Sequence, residues 1–451
     1  MRVHFIAIGG SAMHNLAIAL HQKGLTITGS DDEIFEPSKS RLASNGLLPE
    51  TQGWDVSLIT TELDAVIVGM HAKADNPELL KAKELGLKIF SYPEYLYEQS
   101  KDKTRIVIGG SHGKTTITAM ILHVFRHAGI DCDYMVGAQL EGFDVMVRLT
   151  EKARIMVIEG DEYLTSPIDP RPKFHLYKPN IALLSGIAWD HINVFPTFQN
   201  YLDQFVIFIN QISSGGCLIF CNEDEELKRI CPGSRKDITL IPYSVPDSEI
   251  RDGITHIKNG NLTFPLKVFG KHNLLNLNGA RLVCNQVGIG DLTFYEAIQS
   301  FKGASKRLEL IARNDDRIVY KDFAHAPSKV KATLQAVKEQ FPERPIIACL
   351  ELHTYSSLNK DFLGHYAGTL DPADIPIVYF NPHALQIKRL PEITPEQIRE
   401  GFANNKLEVF NDSAMLLERL LKEENQNCVF LMMSSGNYDG IDLKELVFIR
   451  S

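Results

Sequence analysis

The stretch Ile106-Val-Ile-Gly-Gly-Ser-His-Gly-Lys-Thr-Thr-Ile117 sets Gly110, Ser111, His112, Gly113, Lys114, Thr115 and Thr116 directly after a β-branched run. Glycines let successive backbone N–H groups turn toward one anion, and a helix start adds the positive end of its dipole. Lys114 supplies a movable cation and Thr115 a hydroxyl for Mg²⁺. Together these make a cradle for a nucleoside triphosphate, ATP or GTP. The strict pattern has glycine five residues before Gly113, where this chain has Ile108, so a shortened loop is expected. An ordinary strand-to-helix turn is the plain alternative, and Gly-Lys-Thr-Thr at a helix start argues against it.

Two short apolar runs downstream, Ile155 to Ile158 and Ile181 to Leu184, read as buried parallel strands. One ends in Glu159, Asp161 and Glu162, the other leads to Asp190 and His191. Ligands of open α/β sheets bind outside the carboxyl ends of the strands, so these groups can converge on the cradle. A second glycine turn lies at the start of the chain. Ala7-x-Gly9-x-x-Ala12, with Asp31 closing the next strand, approximates a dinucleotide fingerprint. A diphosphate approached by backbone is the physical requirement, which a UDP-sugar meets as readily as NAD.

The elements that position these groups alternate between strand and helix. Strands are expected at Val3 to Ile8, Leu25 to Thr28, Asp64 to Gly69 and Leu87 to Phe90, with polar Glu98 to Thr104 as a linker. Further strands are expected at Ile318 to Tyr320, Pro345 to Leu350, Ile377 to Phe380, Leu407 to Phe410 and Cys428 to Met433, and a helix at Ser413 to Glu424. The fold class is α/β, with three consecutive domains: a Rossmann-like domain at 1–104, a P-loop domain at 105–303 and a second Rossmann-like domain at 304–451.

With 451 residues, 44% of them hydrophobic, the chain can bury more than one core. Its net charge of -9 gives no general attraction to nucleic acid or to an anionic membrane. The first residues run straight into a strand and glycine turn without the apolar core of a signal peptide, and no stretch reaches transmembrane length. Cys217, Cys221 and Cys231 lack the paired spacing of a zinc site. A cytoplasmic protein acting on small molecules is expected.

Gly110-Ser-His-Gly-Lys-Thr-Thr116, Glu159-Gly-Asp-Glu162, Asp190-His191, Gly270-Lys-His-Asn-Leu-Leu-Asn276, Arg307 and Asp322-Phe-Ala-His-Ala-Pro327 resemble, in order and spacing, the Mur ligases of peptidoglycan synthesis. The opening Gly9-Gly10-Ser11-Ala12-Met13 and Thr28-Gly-Ser-Asp31 extend the likeness over nearly the whole chain. No lysine occurs between His191 and Lys228, which agrees with the branch acting directly on UDP-N-acetylmuramate. Acceptors in that branch are L-alanine or, in peptidoglycan recycling, the tripeptide L-alanyl-γ-D-glutamyl-meso-diaminopimelate. Arg307-Leu-Glu-Leu310 and Met432 to Ile441 favour the tripeptide, which is the expected acceptor. Asp75-Asn-Pro-Glu78 favours alanine, and Leu352-His-Thr-Tyr-Ser356 lacks an arginine that both relatives carry.

The resemblance implies an ATP-dependent amide ligase in which the lactyl carboxylate becomes an acyl phosphate and an amine then displaces phosphate. It places ATP on residues 110–116, His272, Asn273, Asn276, Arg307 and Asp322. UDP-sugar falls to Gly9, Gly10, Ser11, Met13 and Asp31. Mg²⁺ falls to Thr115, Glu159 and His191, and the acceptor to His353, Thr354 and Tyr355. Lys114, His191 and Arg307 are the expected catalytic groups. His191 and His325 are both open as the base that takes the amine's proton. A nicotinamide-dependent oxidoreductase and a non-catalytic nucleotide-binding regulator are the rival classes.

Overall fold

The computed structural model describes residues 1–451 apart from 71, 139–142, 144, 167, 190–193, 304–307, 423–425 and 448–451. The chain divides into two compact units, Met1–Val245 with Leu275–Ile298, and Pro246–Leu274 with Gln299–Ser451.

The first unit carries two parallel-stranded sheets. Strands β1 (Arg2–Ile6), β2 (Thr26–Ser30), β3 (Ala65–Val68) and β4 (Ile89–Ser91) stand in the order β2-β1-β3-β4. The second sheet contains β5 (Thr104–Gly109), β6 (Asp133–Met135), β7 (Val147–Arg148), β8 (Ile155–Glu159), β11 (Ile181–Leu184), β12 (Cys217–Cys221) and β13 (Thr239–Tyr243), in the order β13-β12-β11-β5-β8-β6-β7. Only β7 runs antiparallel, on an edge. A separate hairpin of β9 (Leu164–Ser166) and β10 (Asp169–Pro172) follows β8. In this sheet β5 lies between β8 and β11, with Ile108 beside Glu159 and Gly109 beside Leu184. That register lines up the carboxyl ends of three strands around the glycine loop.

The second unit begins with an antiparallel meander of β14 (Ser248–Arg251), β15 (Ile254–Asn259) and β16 (Leu262–Pro265). Its main sheet is built from β17 (Glu309–Arg313), β18 (Arg317–Asp322), β19 (Ile346–Leu352), β20 (Ile375–Phe380), β21 (Glu408–Phe410) and β22 (Cys428–Met433), ordered β17-β18-β22-β19-β20-β21. Alternate residues of β19 feed opposite layers: Ile346, Ala348, Leu350 and Leu352 join one core, Ile347 and Cys349 the other. A strand covered on both faces is apolar along most of its length, which is why these segments read as hydrophobic runs.

Most expected strands lie within a residue or two of their observed bounds. The meander, the hairpin, the antiparallel edge strand β17 and strands β6, β7, β12 and β13 carry no expectation from the sequence. The helix expected at Ser413 to Glu424 runs Ser413–Leu421. Glu98 to Thr104 is not a free linker. Glu98 and Ser100 belong to the helix Tyr92–Ser100, and Thr104 opens β5. Arg105 explains the difference: 5% exposed, it donates to the carbonyls of Ser100, Lys101, Lys103, Tyr177 and Lys178 at 2.8–3.1 Å. All seven cysteines are buried and free of disulfides, and burial pushes the Cys217 and Cys428 thiols up to about 11. Among the described residues no helix is long and apolar enough to cross a membrane.

Arg105→Met strands several buried carbonyl oxygens without donors. Each costs ~1 kcal/mol or more, so a loss of ~3 kcal/mol is expected in urea unfolding monitored by circular dichroism. A change within ~0.5 kcal/mol contradicts the clamp.

Candidate active site

The glycine loop turns between β5 and the helix Lys114–His127, and two of its residues hold a left-handed backbone, Gly110 at φ 124° and Gly113 at φ 80°. Space as well as conformation demands glycine. A Cβ at Gly110 would fall 2.2 Å from Ser185 Oγ, and one at Gly113 would fall 2.3 Å from Asn276 Oδ1. Ser111 N donates to Gly186 O at 2.9 Å, and Ser185 Oγ donates to His112 O, so the end of β11 braces the loop. Thr116 and Asn276 are buried beside it.

Lys114 Nζ donates to Gly110 O at 2.7 Å and to Glu162 Oε2 at 2.6 Å. Thr115 Oγ1 donates to Glu159 Oε1 at 2.8 Å, while Gly137 N donates to Glu159 Oε2 at 2.8 Å. Burial pushes the Glu159 carboxyl above its usual value, against the opposing pull of the Gly137 N–H, the Thr115 hydroxyl and the Lys114 cation. At Asp161 burial also acts upward, but the Lys173 ammonium at 2.6 Å and the more distant Lys114 outweigh it and hold the carboxyl below its usual value.

Thr115 and Glu159 offer adjacent oxygen donors, the type that a hard divalent cation takes. Among the described residues no group of three or more His, Cys, Asp or Glu side chains could hold a metal ion by itself. Among the described residues, Thr115 and Glu159 are thus the pair that could contribute to a Mg²⁺ site. His191 and Asp190 lie outside the described residues, as does Arg307.

In the first sheet, Gly9, Gly10 and Ser11 lead into the helix Ser11–Gln22, whose N-terminal residues have no side-chain cap. Its amides are thus available to an anion. Asp31, 1% exposed, accepts from Gly9 N at 2.7 Å and so fixes this turn from beneath. Met13 is buried, close under Gly69, and packs the turn rather than facing solvent. Asn76 caps the helix Pro77–Glu84 by accepting from Leu79 N. Glu78 is fully buried against His4 Nε2 at 3.2 Å, so Asp75-Asn-Pro-Glu78 has a structural task.

In the second unit, Asn273 Nδ2 donates to Phe269 O at 2.9 Å, tying the first turn of Lys271–Gln286 to the residue that precedes it by two positions. His272 lies beside Gly270. Asp322 accepts from Leu308 N and Ala324 N, each at 2.7 Å, which makes it a brace for the two segments beside it. The His325 ring meets Phe323 O at 2.8 Å.

His353 is half-exposed beyond β19, its Nδ1 3.7 Å from Glu351 Oε1. Glu351, 2% exposed, accepts from Ser434 Oγ and from Tyr438 N. Gly436 lies so close that a Cβ there would fall 2.9 Å from the Glu351 carboxylate and 3.0 Å from the His353 ring. Thr354 spends its hydroxyl on a turn with Ser357, and Tyr355 is exposed with Lys388 Nζ 4.8 Å over its ring. Among the residues around His353, Glu351, Ser434 and Gly436 carry no expectation from the sequence. Met432 to Ile441 had been singled out only as a likeness, and nothing in spacing joins it to residue 351.

Three family models cover most of the chain: the Mur ligase family catalytic domain at residues 2–104, the Mur ligase middle domain at 108–284 and the Mur ligase glutamate ligase domain at 306–436. The UDP-N-acetylmuramate–L-alanine ligase of Sulfurihydrogenibium sp. is 31% identical over 449 residues, which are 97% of this chain and 95% of that one. The chain belongs to the Mur ligase family. It is accordingly an ATP-dependent ligase that forms a C–N bond. Among further relatives, the UDP-N-acetylmuramate–L-alanine ligase of Carboxydothermus hydrogenoformans is 28% identical over 99% of this chain and 96% of its own. The Thermotoga maritima UDP-N-acetylmuramate–alanine ligase shares the fold at a TM-score of 0.67 and 21% identity, covering 97% and 96% of the two chains. A murein peptide ligase from Psychrobacter arcticus shares it at 0.61 and 24%, over the full length of both.

The tripeptide expectation is overturned by these relatives. The two sequence relatives named above, each matched along nearly all of this Mur ligase, are L-alanine ligases, whereas the features favouring the tripeptide are short segments. At 24% identity, the likeness to the murein peptide ligase carries the fold alone.

Glu159 gives a signed pH prediction. Its carboxyl is raised on folding, so the stability it contributes is fully present below its ordinary value of 4.5 and is lost as pH rises through the folded value. Without Mg²⁺, Glu159→Gln should therefore gain in melting temperature relative to the parent as pH rises above that range. A difference independent of pH contradicts the assignment.

Proposed function

We propose that this Mur ligase joins the lactyl carboxylate of UDP-N-acetylmuramate to the amine of L-alanine, in the cytoplasm, with release of ADP and phosphate. The observation that carries the reading is the 31% identity to an L-alanine ligase along 97% of the chain. The geometry of the glycine loop and its carboxylates supports it. In this reading residues 1–104 take the UDP-sugar, 105–303 take ATP, and 304–451 take the acceptor.

Two anions must meet for the carboxylate to attack the γ-phosphate, so neutralisation and alignment are the main catalytic tasks. Lys114 brings its ammonium to the phosphates, and the loop N–H groups orient them. Thr115 and Glu159, with His191 as a further ligand, would hold Mg²⁺, which would supply positive charge to neutralise the two anions. Arg307 holds phosphate. The products of the first step are ADP and an acyl phosphate. The alanine amine then attacks the acyl carbon, and phosphate departs as the amide forms. Gly9, Gly10 and Ser11 present helix-start amides to the UDP diphosphate, with Asp31 fixing their turn. His353, held beside Glu351 and Gly436, contacts the acceptor.

Phosphate release with Mg-ATP and UDP-N-acetylmuramate tests the reading, with L-alanine compared against the tripeptide. Alanine-dependent release with a ligated product is expected, and release that depends on the tripeptide alone rejects it. Lys114→Met should lower kcat by ~100-fold or more. His353→Ala should raise the alanine KM several-fold while the ATP KM stays unchanged, and equal effects on both would remove His353 from the acceptor site.

A further inference from the structure

Lys114 has three N–H donors, and two are already engaged, by Gly110 O at 2.7 Å and by Glu162 Oε2 at 2.6 Å. Glu162 is 1% exposed and is held from behind by a chain of hydroxyls. Tyr201, fully buried on the helix Phe198–Asn210, points its hydroxyl at Glu162 Oε1, 3.2 Å away, and lies 2.8 Å from Ser111 Oγ. Ser111 Oγ in turn accepts from Ala188 N at 2.9 Å. An ionised carboxylate only accepts, so the order of donation is fixed. Ala188 N–H donates to Ser111, Ser111 to Tyr201, and Tyr201 to Glu162. Each bond polarises the next and settles the negative charge against Lys114.

We propose that Glu162 is a resident counter-anion that competes with the nucleotide's phosphates for Lys114, with Tyr201 as the positioning residue that keeps it in place. The inference rests on reading the glycine loop as the ATP site. Phosphate entering the loop must draw the ammonium from a carboxylate that cannot follow it, because Tyr201 holds it. Nucleotide binding is thereby weakened, and Glu162 takes Lys114 back as ADP leaves. A purely structural contact has the opposite signature: its loss loosens the loop and weakens binding. Repulsion between Glu162 and phosphate would also weaken binding, but independently of Lys114, so a double-mutant cycle separates the two.

The test is calorimetric binding of Mg-ADP to the full chain and to Glu162→Gln, Lys114→Met and the double variant, with thermal melting to establish that each is folded. Glu162→Gln should bind ADP about tenfold more tightly, equivalent to ~1.4 kcal/mol. The gain should vanish when Lys114 is already replaced. Unchanged or weaker binding by Glu162→Gln overturns the inference, as does a gain that persists without Lys114. Should Glu162→Gln fail to fold, Glu162→Asp withdraws the carboxylate by one methylene and should also tighten binding, and unchanged or weaker affinity there overturns the inference equally. If the unaltered chain binds no ADP while folded, the ATP-site reading itself falls, a result distinct from tight binding that Glu162 does not moderate.

Discussion

A carboxylate taken out of water must be given a partner, and the carboxyl edge of the central sheet holds three of them within four residues. Glu159, Asp161 and Glu162 follow one strand, and each is answered differently: Glu159 by a backbone N–H and the Thr115 hydroxyl, Asp161 by Lys173, Glu162 by Lys114 and Tyr201. Charge placed this close to a phosphate cradle would repel the ligand if left alone. Paired in this way, it instead sets where Lys114 stands and what Thr115 faces. The glycine loop, the bracing Ser185 and the buried Tyr201 all serve that arrangement.

The same economy of space governs the loop itself. Backbone must come close enough for its amides to face an anion, so Gly110 and Gly113 approach Ser185 and Asn276 at distances that leave no room for a Cβ. Asn276 comes from a helix far along the chain, yet its side chain closes the space beside Gly113. At the first sheet Asp31 plays a comparable part, binding Gly9 N from below and leaving the upper side of the turn to a ligand. In both loops a buried polar side chain shapes the turn, and the backbone is what remains for recognition.

An ATP-dependent ligase must handle phosphate, an anion whose charge has to be neutralised. The Thr115 and Glu159 pair offers oxygen donors beside the cradle, and burial of Glu159 ties its ionisation to the arrival of positive charge. In the other unit, Glu351, Ser434 and Gly436 surround His353. Thr354, in the segment that lacks the relatives' arginine, engages its hydroxyl with Ser357.

By itself the sequence determined the α/β class, most of the strands and the glycine turns, because these follow from local periodicity and from residue types that only certain backbones accept. It also carried the family, through motifs short enough to be read in place. It could not show that Glu98 to Thr104 is clamped by Arg105, that Asp322 and Asn273 are engaged by backbone, or that Glu78 is a partner of His4. Its short segments pointed to the wrong acceptor, since likeness over ten residues weighs less than likeness over the chain. Tertiary structure decided the pairings. Thr115 meets Glu159, Ser111 meets Tyr201 and Glu351 meets Ser434 across 44, 90 and 83 residues. Strand register and burial set those meetings, and neither is written in the spacing of residues along the chain.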